Sequence, residues 1–344
     1  MHDSVDLRIL RSTASLEAIE PEWRLLWDSD SNATPFQSPE WLLPWWHQFS
    51  QPDLTAITIR RRHWLIGLLP FYIYREPHAG QRQLLPIGVG TSDYLDGIFA
   101  PGCSSDDVLR ALDLLRSSAS WDQGSLTQLR PGSRLFQALA SHASFPTESC
   151  WRMPAARASE LPRKIRQNVA HRSNRARRQG LLEYTLADAS SCLSAFESLV
   201  HLHNERWQMR GQGGIFHDPR VLAWHREAVP LLARSGLLRL YSLRHKHETV
   251  AAMYCLADPP RRPNRSLYVY IPAFSLRAAK ISPGTLLLAH AVEQSAHEGI
   301  EIIDLLRGQE RYKQLFWHMQ PAPTFGCNVL CHARSGATVL EDAA

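Results

Sequence analysis

The stretch from Asp304 to Lys313 gathers several chemically able side chains of this 344-residue chain. Asp304 lies on an apolar run, Ile300–Leu306, whose only other charge is Glu301 near its start. A carboxylate in such a run is costly unless it is paired or hydrogen-bonded. Two roles fit it. It is a general base taking a proton from an amine nucleophile, its pKa raised by burial, or it is a structural partner of Arg307. Glu310, Tyr312 and Lys313 follow a glycine turn at the start of a short helix. Lys313 suits a phosphate or a substrate carboxylate; the alternative is an exposed turn with its charges in solvent. A second candidate is the turn Ser282-Pro283-Gly284-Thr285, after a strand and before a helix. Free N–H groups at a helix start, with the helix dipole, suit a pyrophosphate. Arg277 and Lys280 stand close upstream and can meet phosphate charge. The alternative is an ordinary Ser-Pro-Gly cap.

Other chemistries find less support. No G-x-S-x-G nucleophile elbow is present. The glycine-rich stretch Gly211-Gln212-Gly213-Gly214 follows a helix instead of opening one, so it does not read as a dinucleotide fingerprint. Cys327, Cys331 and His332 are close in sequence, but no second ligand pair stands at zinc spacing. An apolar strand that carries thiols is the simpler account, and no metal is expected. The six cysteines are scattered, which fits a reducing cytoplasm. No apolar run is long enough to span a membrane, and the first residues lack the pattern of a signal peptide.

The composition, 44% hydrophobic and 21% charged, is that of a globular protein. The charge is uneven. Residues 151–180 hold nine Lys/Arg against one acid, Glu160, whereas the entire chain carries only +5. The basic segment 163–178 reads as a solvated helix, as a site for an anionic partner such as tRNA or an acidic saccharide, or as a face toward acidic lipids. Its lack of aromatic residues speaks against base stacking.

The elements that must position these groups fall into two series. In the first, a strand at 5–10 and a helix at 16–27 precede a helix opened by Ser38-Pro39-Glu40 and rich in aromatics: Trp41, Trp45, Trp46 and Phe49. That face is a core surface or a binding surface. Strands are expected at 54–59, 64–74, 84–87, 94–99 and 126–129, helices at 106–118 and 133–142, and an extended tail to Met153. In the second, helix 161–179 is capped by Gly180 and strand 182–186 follows. A helix after Asp188 carries the stripe Leu193, Phe196, Val200, His203 and Trp207. Helix 220–235, strands 237–243, 249–256 and 267–271, helix 285–298, strand 300–306, helix 312–317 and strand 325–330 complete it. The two series match in order, so a duplicated architecture is expected, divided into 1–153 and 154–344. The fold class is α+β, each half a mostly antiparallel sheet flanked by helices.

Several stretches, in this order, resemble the CelD-like acetyltransferases, which are related to FemAB-type aminoacyltransferases within the GNAT superfamily. They are Thr34-Pro35-Phe36-Gln37-Ser38-Pro39-Glu40-Trp41, Leu69-Pro70-Phe71, Ser92-Asp93-Tyr94-Leu95-Asp96, Pro101-Gly102, Arg206-Trp207 with Gly211, Ser282-Pro283-Gly284 and Asp304 to Lys313. The resemblance covers nearly the whole chain. It implies two tandem GNAT domains, with acyl transfer from acetyl-CoA or another acyl-CoA in the second. No tightly bound cofactor is implied. The Ser282–Thr285 turn would seat the pyrophosphate of coenzyme A. The backbone of Tyr268-Val269-Tyr270 would polarise the thioester. Tyr312 would protonate the departing thiolate, beside Asp304 and Glu310 as the catalytic set. Arg206, Trp207, Arg307 and Lys313 would border the acceptor, an amino sugar or other small amine. Asp93 and Tyr94 would belong to a loop closing over it, or to a structural turn. The FemAB relation raises the alternatives of an aminoacyl-tRNA donor and a scaffold without activity.

Overall fold

The computed structural model describes residues 5–50, 53–76, 80–117, 121–139, 144–157, 159–308 and 319–330. The first half runs β1 (Val5–Leu10), α1 (Thr13–Glu17), α2 (Glu20–Ser29), α3 (Pro39–Phe49), β2 (Asp53–Leu54), β3 (Ala56–Arg61), β4 (Trp64–Leu69), β5 (Phe71–Arg75), β6 (Arg82–Pro86), β7 (Ile98–Phe99), α4 (Ser105–Ser117), β8 (Gln123–Leu129), α5 (Arg134–Ala138), β9 (Ser144–Pro146) and β10 (Cys150–Pro154). The expected strand at 64–74 is two strands in two sheets. Pro70 has no N–H to give to a ladder, and the chain leaves one sheet for the other at that residue. The expected strand at 94–99 is reduced to Ile98–Phe99. Residues 88–97 form a loop, with Gly88, Gly90 and Tyr94 all at positive φ.

The second half contains α6 (Arg163–Gln179), β11 (Leu182–Leu186), α7 (Cys192–Gln208), α8 (Pro219–Arg234), β12 (Leu238–His245), β13 (Glu248–Ala257), β14 (Ser266–Phe274), α9 (Pro283–His297), β15 (Ile302–Arg307), β16 (Gln320–Ala322) and β17 (Phe325–Leu330). Its sheet has the order β11-β12-β13-β14-β15-β10-β16. Every pairing in it is antiparallel except β14 with β15, whose parallel join needs the α9 crossover. The halves exchange strands: β10 enters the sheet of the second half, and β17 pairs with β8 and β9 of the first. The expected boundary at 153/154 therefore cuts through β10. Among the described residues, no helix is long and apolar enough to cross a membrane.

The aromatic face of α3 is core, and it joins the halves. Trp41 is fully buried, edge-on to Trp224 of α8 at 4.7 Å and to Tyr270 of β14 at 5.1 Å. One cluster holds residues of α2, α3, α7, α8, β13 and β14. A second, with α9, covers the other face of the large sheet.

His225 of α8 is enclosed in the first cluster, stacked on Trp224 at 4.0 Å, with neither ring nitrogen hydrogen-bonded. Burial pushes its pKa from 6.5 down to about 3. Between those values the unfolded chain holds a proton there that the folded chain does not. Stability from this group is therefore complete above pH 6.5 and is lost as pH falls toward 3. Below pH 6 the loss should approach about 1.4 kcal/mol per pH unit. Urea unfolding of His225→Phe at pH 7 and pH 5 should show a slope flatter than the parent's; equal slopes would contradict this assignment.

Candidate active site

β14 and β15 are bonded only at Ser266↔Ile302, Leu267↔Ile303 and Tyr268↔Asp304. Beyond Asp304 they part. Asp304 Oδ1 accepts the N–H of Leu306 at 2.8 Å, and Leu306 takes φ 58°, a rare conformation for a bulky residue. Gly308 follows at φ 120°. The carboxylate thus bends β15 away from β14. A cavity of about 220 Å3 fills the fork, lined by Val269, Tyr270 and Ile271 on one side and Leu305, Leu306 and Arg307 on the other. Gly90, Thr91 and Asp93 of the 88–97 loop wall it, with Ile215 and Val221.

That loop is held by α3 and the turn before it. The indole N–H of Trp41 donates to Ser92 Oγ at 2.8 Å, and that of Trp45 to Thr91 Oγ1 at 2.8 Å. Thr34 and Gln37 form a capping box, and the Gln37 amide reaches the carbonyl of Tyr94. Tyr270 donates its hydroxyl to the Thr91 carbonyl at 2.7 Å. The Thr34–Trp41 stretch therefore positions a loop against the second half.

Asp304 is completely buried. Its Oδ2 accepts from the Tyr94 hydroxyl at 2.7 Å and from Arg152 Nε at 2.7 Å. Of the two roles weighed for Asp304, the pairing with Arg307 is not formed. In antiparallel register Arg152 of β10 stands opposite Asp304, whereas Arg307, beyond the bend, pairs with Asp93 at 3.1 Å. Burial first, and then the Asp304 charge, hold the Tyr94 phenol far above its usual pKa, so it serves as a hydrogen-bond donor. The same causes push the neighbouring Cys150 thiol up to about 12, which leaves no thiolate nucleophile there.

The Ser282 turn opens α9 as expected. Ser282 is left-handed at φ 54°, Pro283 is the first helical residue, and the Thr285 N–H reaches back to the Ser282 carbonyl. Gly284 packs closely on β14: a Cβ there would stand 3.1 Å from the Phe274 ring, so the ring would have to give slightly. Arg172 of the basic helix donates to the Ser282 hydroxyl. Lys280 is exposed, and Arg277 pairs with Glu205 at 3.0 Å. Arg206 lies over the Phe274 ring at 4.5 Å, which places it at the Ser282 turn, while Trp207 is half-buried beneath Arg210. Arg163, Lys164, Arg166, Arg175, Arg177 and Arg178 of α6 are exposed.

The structure thus assembles Asp93, Tyr94, Tyr270, Asp304 and Arg307 at the fork, and Arg206, Arg277, Lys280 and Ser282 to Thr285 at the helix start. Glu310, Tyr312 and Lys313 lie outside the described residues, as do Cys331 and His332. Sequence reasoning missed Arg152 and Arg172. Arg152 offered a signal: it is a charge inside the strand Cys150–Pro154, as Asp304 is inside its own.

The second half thus presents a mixed sheet whose one parallel pair forks, with a helix start beside the fork. Residues 163–314 match the family described as acetyltransferase (GNAT) domain. That match, which lies within the second half, supports an acyltransferase. Comparison with curated proteins finds no match. Among solved structures, FemX shares 11% identity at a TM-score of 0.62, covering 89% of this chain and 95% of FemX. The C-terminal domain of a putative lysylphosphatidylglycerol synthetase from Agrobacterium fabrum shares 12%, with a TM-score of 0.58 and 92% of each chain covered. L-PGS from Bacillus licheniformis shares 11%, at 0.53, covering 76% of this chain and 81% of that one. At these identities the likeness concerns the fold.

Proposed function

We propose that the chain transfers an acyl group from acyl-CoA directly to an amine, with no covalent enzyme intermediate. The fork between β14 and β15 carries this reading. Past Tyr268, backbone groups of β14 that face the gap are released from the ladder and are available to polarise a thioester carbonyl. The donor's pyrophosphate would sit on the Ser282–Thr285 turn, among Arg172, Arg206, Arg277 and Lys280. The amine nitrogen attacks the thioester carbon, and the C–S bond breaks. The amine proton passes to Asp93, the carboxylate on the cavity wall, with Arg307 beside it. The thiolate takes its proton from Tyr312. Asp304 holds the fork open and keeps Tyr94 and Arg152 in place. The acceptor is an amino sugar or another small amine.

A second reading, an aminoacyl-tRNA donor, is favoured by the exposed cations of α6, since Arg172 ties that helix to the Ser282 turn. Melting temperatures separate the two. Acetyl-CoA at about 100 times its dissociation constant should stabilise the protein by roughly 2.7 kcal/mol. No shift at millimolar acetyl-CoA, with a salt-sensitive shift in tRNA, would replace the first reading by the second.

A further inference from the structure

A second cleft, of about 290 Å3, opens beside Tyr94 and shares no lining residue with the cavity in the fork. Adjacent residues of one loop line the two, Asp93 the fork and Tyr94 the cleft. Both lie on the side of the large sheet that faces the first half. Tyr94, Tyr268 and Leu306 belong to the shared core cluster, whereas Val269 and Leu305 point into the cluster with α9.

Among the described residues, the wall of this second cleft carries two guanidinium groups, Arg130 and Arg152, and no carboxylate. They stand 5.2 and 5.3 Å from the centre of the Tyr94 ring. Arg152 meets Asp304 through Nε. Arg130 donates to the carbonyl of Asn32, and among the described residues it forms no ion pair. Asp96 and Asp258 feel the Arg130 charge without lining the cleft. Burial pushes Asp96 up to about 7, so it is only partly charged at neutral pH, whereas Asp258, at about 6, is mostly charged there. A guanidinium in an open cleft, met by a carbonyl and a ring face, still has donors for a ligand. Its planar fork matches carboxylate and phosphate oxygens.

We propose that this cleft seats an oxyanion, a carboxylate or a phosphate ester, carried by the amine acceptor. Arg130 and Arg152 hold the oxyanion, and the amine reaches past Tyr94 and Asp93 to the fork. The inference rests on the acyl-transfer reading and narrows its acceptor class to amines that carry an anionic group.

Two pairs of acceptors, each differing chiefly in the oxyanion, test it with the whole chain and acetyl-CoA: glucosamine against glucosamine 6-phosphate, and propylamine against β-alanine. The anionic member of at least one pair should show a KM lower by about tenfold to a hundredfold, the range of charge-assisted hydrogen bonds. The pair that shows it tells phosphate from carboxylate. Arg130→Gln should abolish the preference by raising acceptor KM, with no matching rise in the KM for acetyl-CoA; a merely structural role would move both. Arg130→Lys, which keeps the charge and loses the fork, should fall between. As a measurement free of turnover, inorganic phosphate or succinate should raise the parent's melting temperature above chloride at equal ionic strength, and Arg130→Gln should lose that rise. Turnover with equal KM within both pairs, and no oxyanion-dependent rise, would overturn the cleft's assignment and leave acyl transfer standing. An oxyanion-dependent rise that Arg130→Gln removes, with no turnover of any amine, would overturn the acceptor role together with the acyl-transfer reading.

Discussion

Asp304→Ala should lower the unfolding free energy by about 3 kcal/mol and turnover by two orders of magnitude or more. The carboxylate is buried and accepts from Tyr94, Arg152 and the Leu306 N–H. Removing one partner of a buried ion pair costs about 3–5 kcal/mol. The lower end applies because the Arg152 side chain keeps 30% exposure. The activity loss has a different origin. Without its acceptor, Leu306 has no reason to remain left-handed, and the walls of the fork shift; a misplacement of roughly 1 Å can cost about a hundredfold. Asp304→Asn separates these effects. Its amide oxygen can still receive the Leu306 N–H, so the bend should survive while the charge is lost, and stability should lie between parent and Ala. The pH–rate profile gives a further test. If Asp304 positions the fork, the ascending limb persists in the Asn variant at a lower rate. Its disappearance would make Asp304 the base instead.

Trp41→Ala should cost about 4 kcal/mol, in the range for deleting a large buried aromatic. Trp41 is fully buried and touches Phe36, Trp224, Tyr254 and Tyr270 edge-on. It also holds Ser92 of the loop that carries Asp93 and Tyr94. Turnover should therefore fall even where the protein stays folded. Trp41→Phe isolates this second effect. It keeps most of the packing and loses one buried hydrogen bond, worth about 1 kcal/mol. Its turnover should drop at least tenfold while its melting temperature changes little. Unchanged turnover would mean that the loop is held without Trp41.

The order of elements in the second half was legible because its apolar periods are strong. The stripe along α7 and the apolar run of β15 allowed each element one main arrangement, and both formed. The first half was harder. A single proline, Pro70, splits one apolar run between two sheets, and periodicity carries no mark of that. Strand exchange was also hidden, since nothing in Cys150–Pro154 or Phe325–Leu330 states which sheet each will join. Asp304 was legible as a costly charge in an apolar strand. Its partner was not, because Arg307 is near in sequence while Arg152 is opposite only in register. Asp93 and Tyr94 were singled out by resemblance alone. Their backbone is a loop with positive φ at Tyr94, and the side chains that fix it come from α3.

The most direct test of the central claim is the release of free thiol from acetyl-CoA, followed continuously with and without a panel of primary amines. Transfer in the fork predicts release that depends on the amine, matches N-acetyl product one for one, and falls a hundredfold or more in Asp304→Ala. Thiol release independent of amine, or none with any acceptor while acetyl-CoA binds, would contradict direct acyl transfer at this site.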